Sequence, residues 1–194
     1  MAFQSSWCGD PDAGLACTES ALVRAGRLTA TERAMLHNSR ARDLAKLGQV
    51  QDALSAVGTA DEEFSHARPA EDAPWMASYN EARHLGFGGN VLWELGMQGQ
   101  FVAETRNRLT TAIATRKGRA RTRNQIRLAS MIMTTGDPIE ATALGSQALD
   151  GAATLRSRRA THDLHDLRCL CEPHAHLTEV AELRHRIGTV VAAS

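Results

Sequence analysis

The chain has 194 residues with 22 basic and 22 acidic side chains, a formal net charge of zero and a pI near 7.1. No global field therefore draws it to nucleic acid or an anionic membrane, and no apolar run approaches the roughly 18 residues needed to span a bilayer. Aromatic residues at 4% are too few for a β-sandwich, and 43% hydrophobic residues are too many for a disordered chain.

Met1 to Asp10 lacks a basic segment followed by an apolar stretch, so no signal peptide is expected. The cysteines, Cys8, Cys17, Cys169 and Cys171, lie near the two ends and are expected to be reduced thiols in a cytoplasmic protein. In chain order, helices are expected at about 11–25, 30–47, 50–66, 76–86, 90–97, 100–115, 119–135, 138–153, 155–171 and 176–191. Asp10-Pro11 and Asp137-Pro138 each supply an N-cap acceptor followed by proline at the first helical position. Thr29-Ala30-Thr31-Glu32 is a capping box. Arg68 to Pro74 reads as a loop, and Gly86-Phe87-Gly88-Gly89-Asn90 as a turn between two helices. No linker divides the chain, which is expected to form a single domain over 1–194.

The chain also superposes on itself. Gly48-Gln-x-x-x-Ala53 and Gly136-Asp-x-x-x-Ala141 stand at an offset of 88 (136 − 48), and Ala41, Leu44 and Ala60 match Ala129, Ile132 and Ala148 at that offset. Ala2, Gly9, Gly14 and Ala21 form a weaker copy at an offset of 39 (48 − 9), and Gly99 anchors a distorted one. Small residues let two antiparallel helices approach closely, and the glycine ends the first helix where a left-handed residue carries no Cβ clash. The unit is helix, glycine turn, helix, and such units bury their open faces by stacking. It resembles the tetratricopeptide repeat (TPR). That resemblance implies an all-α fold, a TPR-like helical-hairpin superhelix or α-solenoid.

Three groups could carry chemistry. His162, His165 and Cys169 share one face of a helix whose core stripe is Leu164, Leu167 and Cys171. With His174 or His176 they could bind zinc or copper, but the spacing matches no standard zinc pattern, and a solvated polar face is the expected reading. Arg116, Lys117, Arg119, Arg121, Arg123 and Arg127 form a basic stretch without an intervening acid. It could meet phosphates, but there are no aromatics beside it to stack bases, so a solvated helix start or a patch meeting an acidic partner fits better. Trp75 and Tyr79, four residues apart, would be neighbours on a helix, with Trp75 expected in the core and Tyr79 either there or in a recognition groove. Catalytic motifs are absent: no Gly-x-Ser-x-Gly, phosphate-binding loop, His-Glu-x-x-His or dinucleotide fingerprint occurs.

Three segments together resemble the C-terminal sensor region of actinobacterial helix-turn-helix regulators of the XRE type. They are Ala73 to Ala82 with Gly86 to Asn90, Leu128-Ala129 through Thr135 to Ala141, and Leu155-Arg156-Ser157 with Asp163-Leu164 and Val180 to Ile187. The resemblance implies a non-enzymatic regulatory module that dimerises and takes a peptide, protein or small-molecule signal. DNA contact would belong to a separate helix-turn-helix domain, for which a chain opening directly in a repeat leaves no room. Tyr79, Arg83, Arg123 and Arg127 are the candidate contacts to the ligand or partner. No cofactor and no metal are expected, and a metal-binding protein using the C-terminal His/Cys cluster is the alternative.

Overall fold

A computed structural model describes residues 9–96, 102–115, 118–152 and 158–192. These residues are mostly helical, with no strand among them. Residue contacts gather the chain into two compact units, residues 1–97 and 98–194.

In the N-terminal unit, α1 (Pro11–Leu22) is followed by the hairpin α2 (Ala30–Lys46) and α3 (Val50–Ser65), then by α4 (Glu81–Glu94). Both α1 and α4 pack on α2. The start signals act as their chemistry requires. Asp10 Oδ1 accepts the Ala13 N–H at 2.9 Å, with Pro11 opening α1. At α2, Thr29 Oγ1 accepts from the Glu32 N–H while Glu32 Oε2 accepts from the Thr29 N–H. This satisfies two of the N–H groups that a helix start leaves without partners. The α2–α3 turn is a Schellman closure: the Gln49 N–H donates to the Leu44 carbonyl at 2.9 Å and the Gly48 N–H to the Ala45 carbonyl at 3.0 Å. Gly48 is left-handed there, with φ of 72°, where a Cβ would clash with backbone.

The C-terminal unit repeats this plan. The hairpin α6 (Gly118–Thr135) and α7 (Pro138–Ala152) follows α5 (Val102–Thr115) and precedes α8 (Arg158–Leu170) and α9 (Thr178–Ala192). Helices α5 and α8 pack on α6, and α9 packs on α7 and α8. The 88-residue offset carries the first residue of α2 onto that of α6 and the first of α3 onto that of α7. The matched pairs Ala41/Ala129, Leu44/Ile132, Ala53/Ala141 and Ala60/Ala148 are all buried. Gly9, with φ of 93°, opens α1 as Gly48 opens α3, consistent with the weaker N-terminal copy. The first half of that copy, the Gly99 copy, Arg116, Lys117 and the Leu155-Arg156-Ser157 segment lie outside the described residues.

Three expectations are corrected. Gly136 is not left-handed; its Cβ would stand 3.3 Å from Ile132 Cγ2, so close packing and not backbone handedness favours glycine there. The expected helices at 76–86 and 90–97 are one helix, α4, which runs through the supposed glycine turn. Its N-cap is Asn80, whose Oδ1 accepts the Arg83 N–H at 3.1 Å. Gly86, Gly88 and Gly89 are buried within α4, where burial overrides their poor intrinsic propensity. Finally, Pro74–Ser78 is a 3₁₀ turn. Three residues per turn bring Met76 and Tyr79 inward together and leave Trp75 62% exposed, so Trp75 is not a core residue.

Candidate functional site

The N-terminal unit carries a groove of about 670 Å³ with walls from α1, α2 and α4. Helix α2 forms its floor because α1 and α4 both pack on that helix. The apolar wall includes Ala21, Met35, Leu36 and Phe87, with Ser39 beside them, and Arg83 is the one charged residue among the described lining. The Arg83 guanidinium lies over the Phe87 ring, 5.7 Å from its centroid, and donates from Nη1 to Ser78 Oγ at 2.9 Å. These contacts hold the cation at the edge of an apolar surface.

Behind Phe87 lies a buried polar network. Tyr79 is 5% exposed, Asn38 1% and His84 3%. Asn38 Nδ2 donates to Tyr79 Oη at 2.8 Å and lies 3.0 Å from His84 Nδ1. Tyr79 Oη is 3.2 Å from that same nitrogen, and His84 Nε2 is 2.8 Å from Asp61 Oδ1. A carboxylate can only accept, so Asp61 assigns the Nε2 proton and leaves Nδ1 as the acceptor for Tyr79 and Asn38. Phe64 stacks on the imidazole with centroids 4.2 Å apart, and Tyr79 meets Phe87 at 6.2 Å. Burial pushes the Tyr79 phenol far above its ordinary value, so it stays protonated and acts as a fixed donor instead of a nucleophile.

The four contact candidates are divided between the two units. Tyr79 and Arg83 belong to the N-terminal unit, with Tyr79 buried behind the groove and Arg83 on its rim. Arg123 and Arg127 belong to the C-terminal unit, where Arg123 Nε meets Asp163 Oδ2 at 2.8 Å and Arg127 Nη2 meets Asp163 Oδ1 at 3.6 Å. The repeat offset pairs Arg123 with Met35 and Arg127 with Ser39, both groove-lining residues. Where the N-terminal unit leaves an apolar groove, the C-terminal unit therefore places an internal ion-pair cluster. Asn38 and Asp61 likewise correspond to Ile126 and Leu149, both buried, so the polar network belongs to the N-terminal unit and is not required by the hairpin. Sequence reading missed Met35, Leu36 and Phe87 because an apolar residue on a groove floor and one in a core follow the same helical periodicity.

Leu164 and Leu167 of α8 and Cys171 just beyond its end do form a core stripe, with the Cys171 thiol pushed up to about 11 chiefly by burial. On the opposite face, Cys169 Sγ is 3.9 Å from His165 Nδ1, and His162 faces Asp166 at 3.6 Å. No group of three or more metal-binding side chains occurs among the described residues, so the metal-binding alternative finds no constellation to support it. No helix among them is long and apolar enough to cross a membrane.

No protein-family model matches the chain, and no curated protein matches it. Two crystal structures do match: the nearly identical TPR-like repeats of a Podosopora anserina protein assigned as a kinesin light chain, and a single-substitution variant of the same repeats. Each superposes with a TM-score of 0.67 and 20% identity, covering 99% of this chain and 92% of the other. Identity at that level speaks to architecture alone, and the architecture is an all-α, TPR-like array of helical hairpins.

Proposed function

We propose that this chain is a non-enzymatic interaction module whose N-terminal groove holds a short peptide segment of a protein partner. The groove itself carries the proposal: about 670 Å³ of largely apolar space with Arg83 as the one charged residue among its described lining. An apolar side chain seated against Leu36 and Phe87, with a neighbouring carboxylate on Arg83, would use both features. Tyr79 contributes indirectly, by holding Phe87 and the 3₁₀ turn in place. Arg123 and Arg127 pair with Asp163 and would contribute less than Arg83.

The finer reading is a sensor and dimerisation region of a transcriptional regulator acting in the cytoplasm, with DNA contacted by a separate helix-turn-helix domain. Its support is the resemblance of the three segments to XRE-type regulators. Sedimentation of the purified chain tests the dimerisation part, and a monomer at every concentration would remove it.

Peptides selected from a random displayed library against the wild-type chain test the groove. The expected consensus is one apolar anchor beside an acidic residue. Arg83→Glu and the groove-filling Ser39→Trp should each weaken the selected peptides at least about tenfold while the thermal melt stays in place. Equal binding to Ser39→Trp and wild type would overturn the proposal.

A further inference from the structure

The internal repeat places a salt bridge in one unit where the other has a cavity. In the N-terminal unit, Arg33 Nη1 donates to the Leu28 carbonyl at 2.7 Å, and Nη2 pairs with Glu63 Oε2 at 2.8 Å. Offset by 88 residues, Arg33 becomes Arg121 but Glu63 becomes Gly151. The arginine is kept and its carboxylate is gone. At this position lies an open cavity of about 400 Å³, lined by Arg121, Thr122, Gln125, Gln147, Asp150 and Gly151 among others.

Two further substitutions accompany the missing carboxylate. Ala34 becomes Thr122, and a Cβ on Gly151 would stand only 2.8 Å from Thr122 Oγ1, so the hydroxyl takes the space in which the root of the Glu63 side chain would sit. His37 becomes Gln125, a residue only 5% exposed that lines the cavity. An amide lining the cavity can hydrogen-bond a polar group that enters it. Asp150 would repel an anion, but it is held by Arg186 at 2.9 Å.

We propose that this cavity is a binding site for a glutamate-type carboxylate, which takes against Arg121 the place that Glu63 takes against Arg33. Arg121 supplies the cationic fork, the amides of Gln125 and Gln147 and the hydroxyl of Thr122 supply donors, and Gly151 supplies the space. The site is separate from the peptide groove of the other unit and does not depend on it.

Calorimetric titration of the full chain tests the site with three probes: L-glutamate, a capped Gly-Glu-Gly peptide and the capped Gly-Gln-Gly analogue. Saturable binding is expected for a glutamate probe, at least about tenfold weaker for the glutamine analogue and for Arg121→Gln. Binding of free glutamate alone identifies a small-molecule site, and binding of the capped peptide identifies an acidic residue of a peptide. The paired substitution Thr122→Ala, Gly151→Glu rebuilds the internal salt bridge and should abolish binding. If that variant fails to fold, the exposed Arg121→Gln decides alone. No saturable heat with either glutamate probe, equal binding of the glutamine analogue, or undiminished binding to Arg121→Gln would each overturn the proposal.

Discussion

Tyr79→Phe removes a single oxygen from the buried polar cluster behind Phe87. The hydroxyl makes two contacts, with Asn38 Nδ2 at 2.8 Å and His84 Nδ1 at 3.2 Å. Without it, Asn38 Nδ2 still reaches His84 Nδ1 at 3.0 Å, so neither group is left without a partner. The expected cost is therefore that of one net hydrogen bond, about 1 kcal/mol, and not the larger penalty of an orphaned polar group. For a chain of this length that corresponds to a fall in Tm of about 2–4 °C, read by circular dichroism. Tyr79→Ala should cost about 3–5 kcal/mol, because it also deletes the ring that meets Phe64 at 6.1 Å and Phe87 at 6.2 Å. The two variants should also separate in function. Tyr79→Phe keeps the ring behind Phe87 and should leave peptide selection unchanged, whereas the void that Tyr79→Ala opens behind the groove wall should weaken binding. A loss of about 3 kcal/mol or more for Tyr79→Phe would refute the reasoning, since the hydroxyl would then be holding more than its two contacts.

Other outcomes follow from the same geometry. Gly48→Ala forces a Cβ into the left-handed region at φ of 72° and should cost about 1–2 kcal/mol in urea unfolding. Gly136→Ala, with Ile132 Cγ2 at 3.3 Å and no left-handed strain, should cost clearly less. Asp163→Asn removes the negative charge shared by Arg123 and Arg127 and should destabilise the C-terminal unit by about 2–3 kcal/mol in the same assay. Burial holds the His37 imidazole below its ordinary value, so the unfolded chain takes up its proton first. The stability this contributes is present above the unfolded value near 6.5 and is lost as pH falls below it. His37→Gln, which copies Gln125 at the matched position, should flatten that part of a stability profile measured between about pH 7 and 5. An unchanged slope would show that His37 does not supply it.

The architecture is largely legible in the sequence because it rests on local signals that repeat. The two Asp-Pro starts, the Thr29 capping box and the matched alanines each state a backbone or packing requirement that a neighbour in sequence can reveal. Glycine misleads twice, since the same residue marks a turn at Gly48, a tight contact at Gly136 and a buried face of α4 at Gly86, Gly88 and Gly89. Only the tertiary setting separates those uses. Trp75 is misplaced when its spacing to Tyr79 is taken at about 3.6 residues per turn, because the segment winds at about three. Of the contact candidates, Arg83 sits on the groove. That Arg123 and Arg127 meet Asp163, some 40 residues away in sequence, depends on how α8 packs on α6, which no local pattern encodes.

The exchange of Asn38 and Asp61 for Ile126 and Leu149 also bears on how a duplicated chain folds without confusing its halves. Two similar hairpins invite the wrong closing helix to dock, a characteristic failure of repeat proteins. His84 on α4 meets Asn38 on α2 and Asp61 on α3; against the second hairpin the same imidazole would face Ile126 and Leu149 and lose both partners. The cluster behind the groove thus works as an address, making the correct pairing of helices more stable than the swapped one.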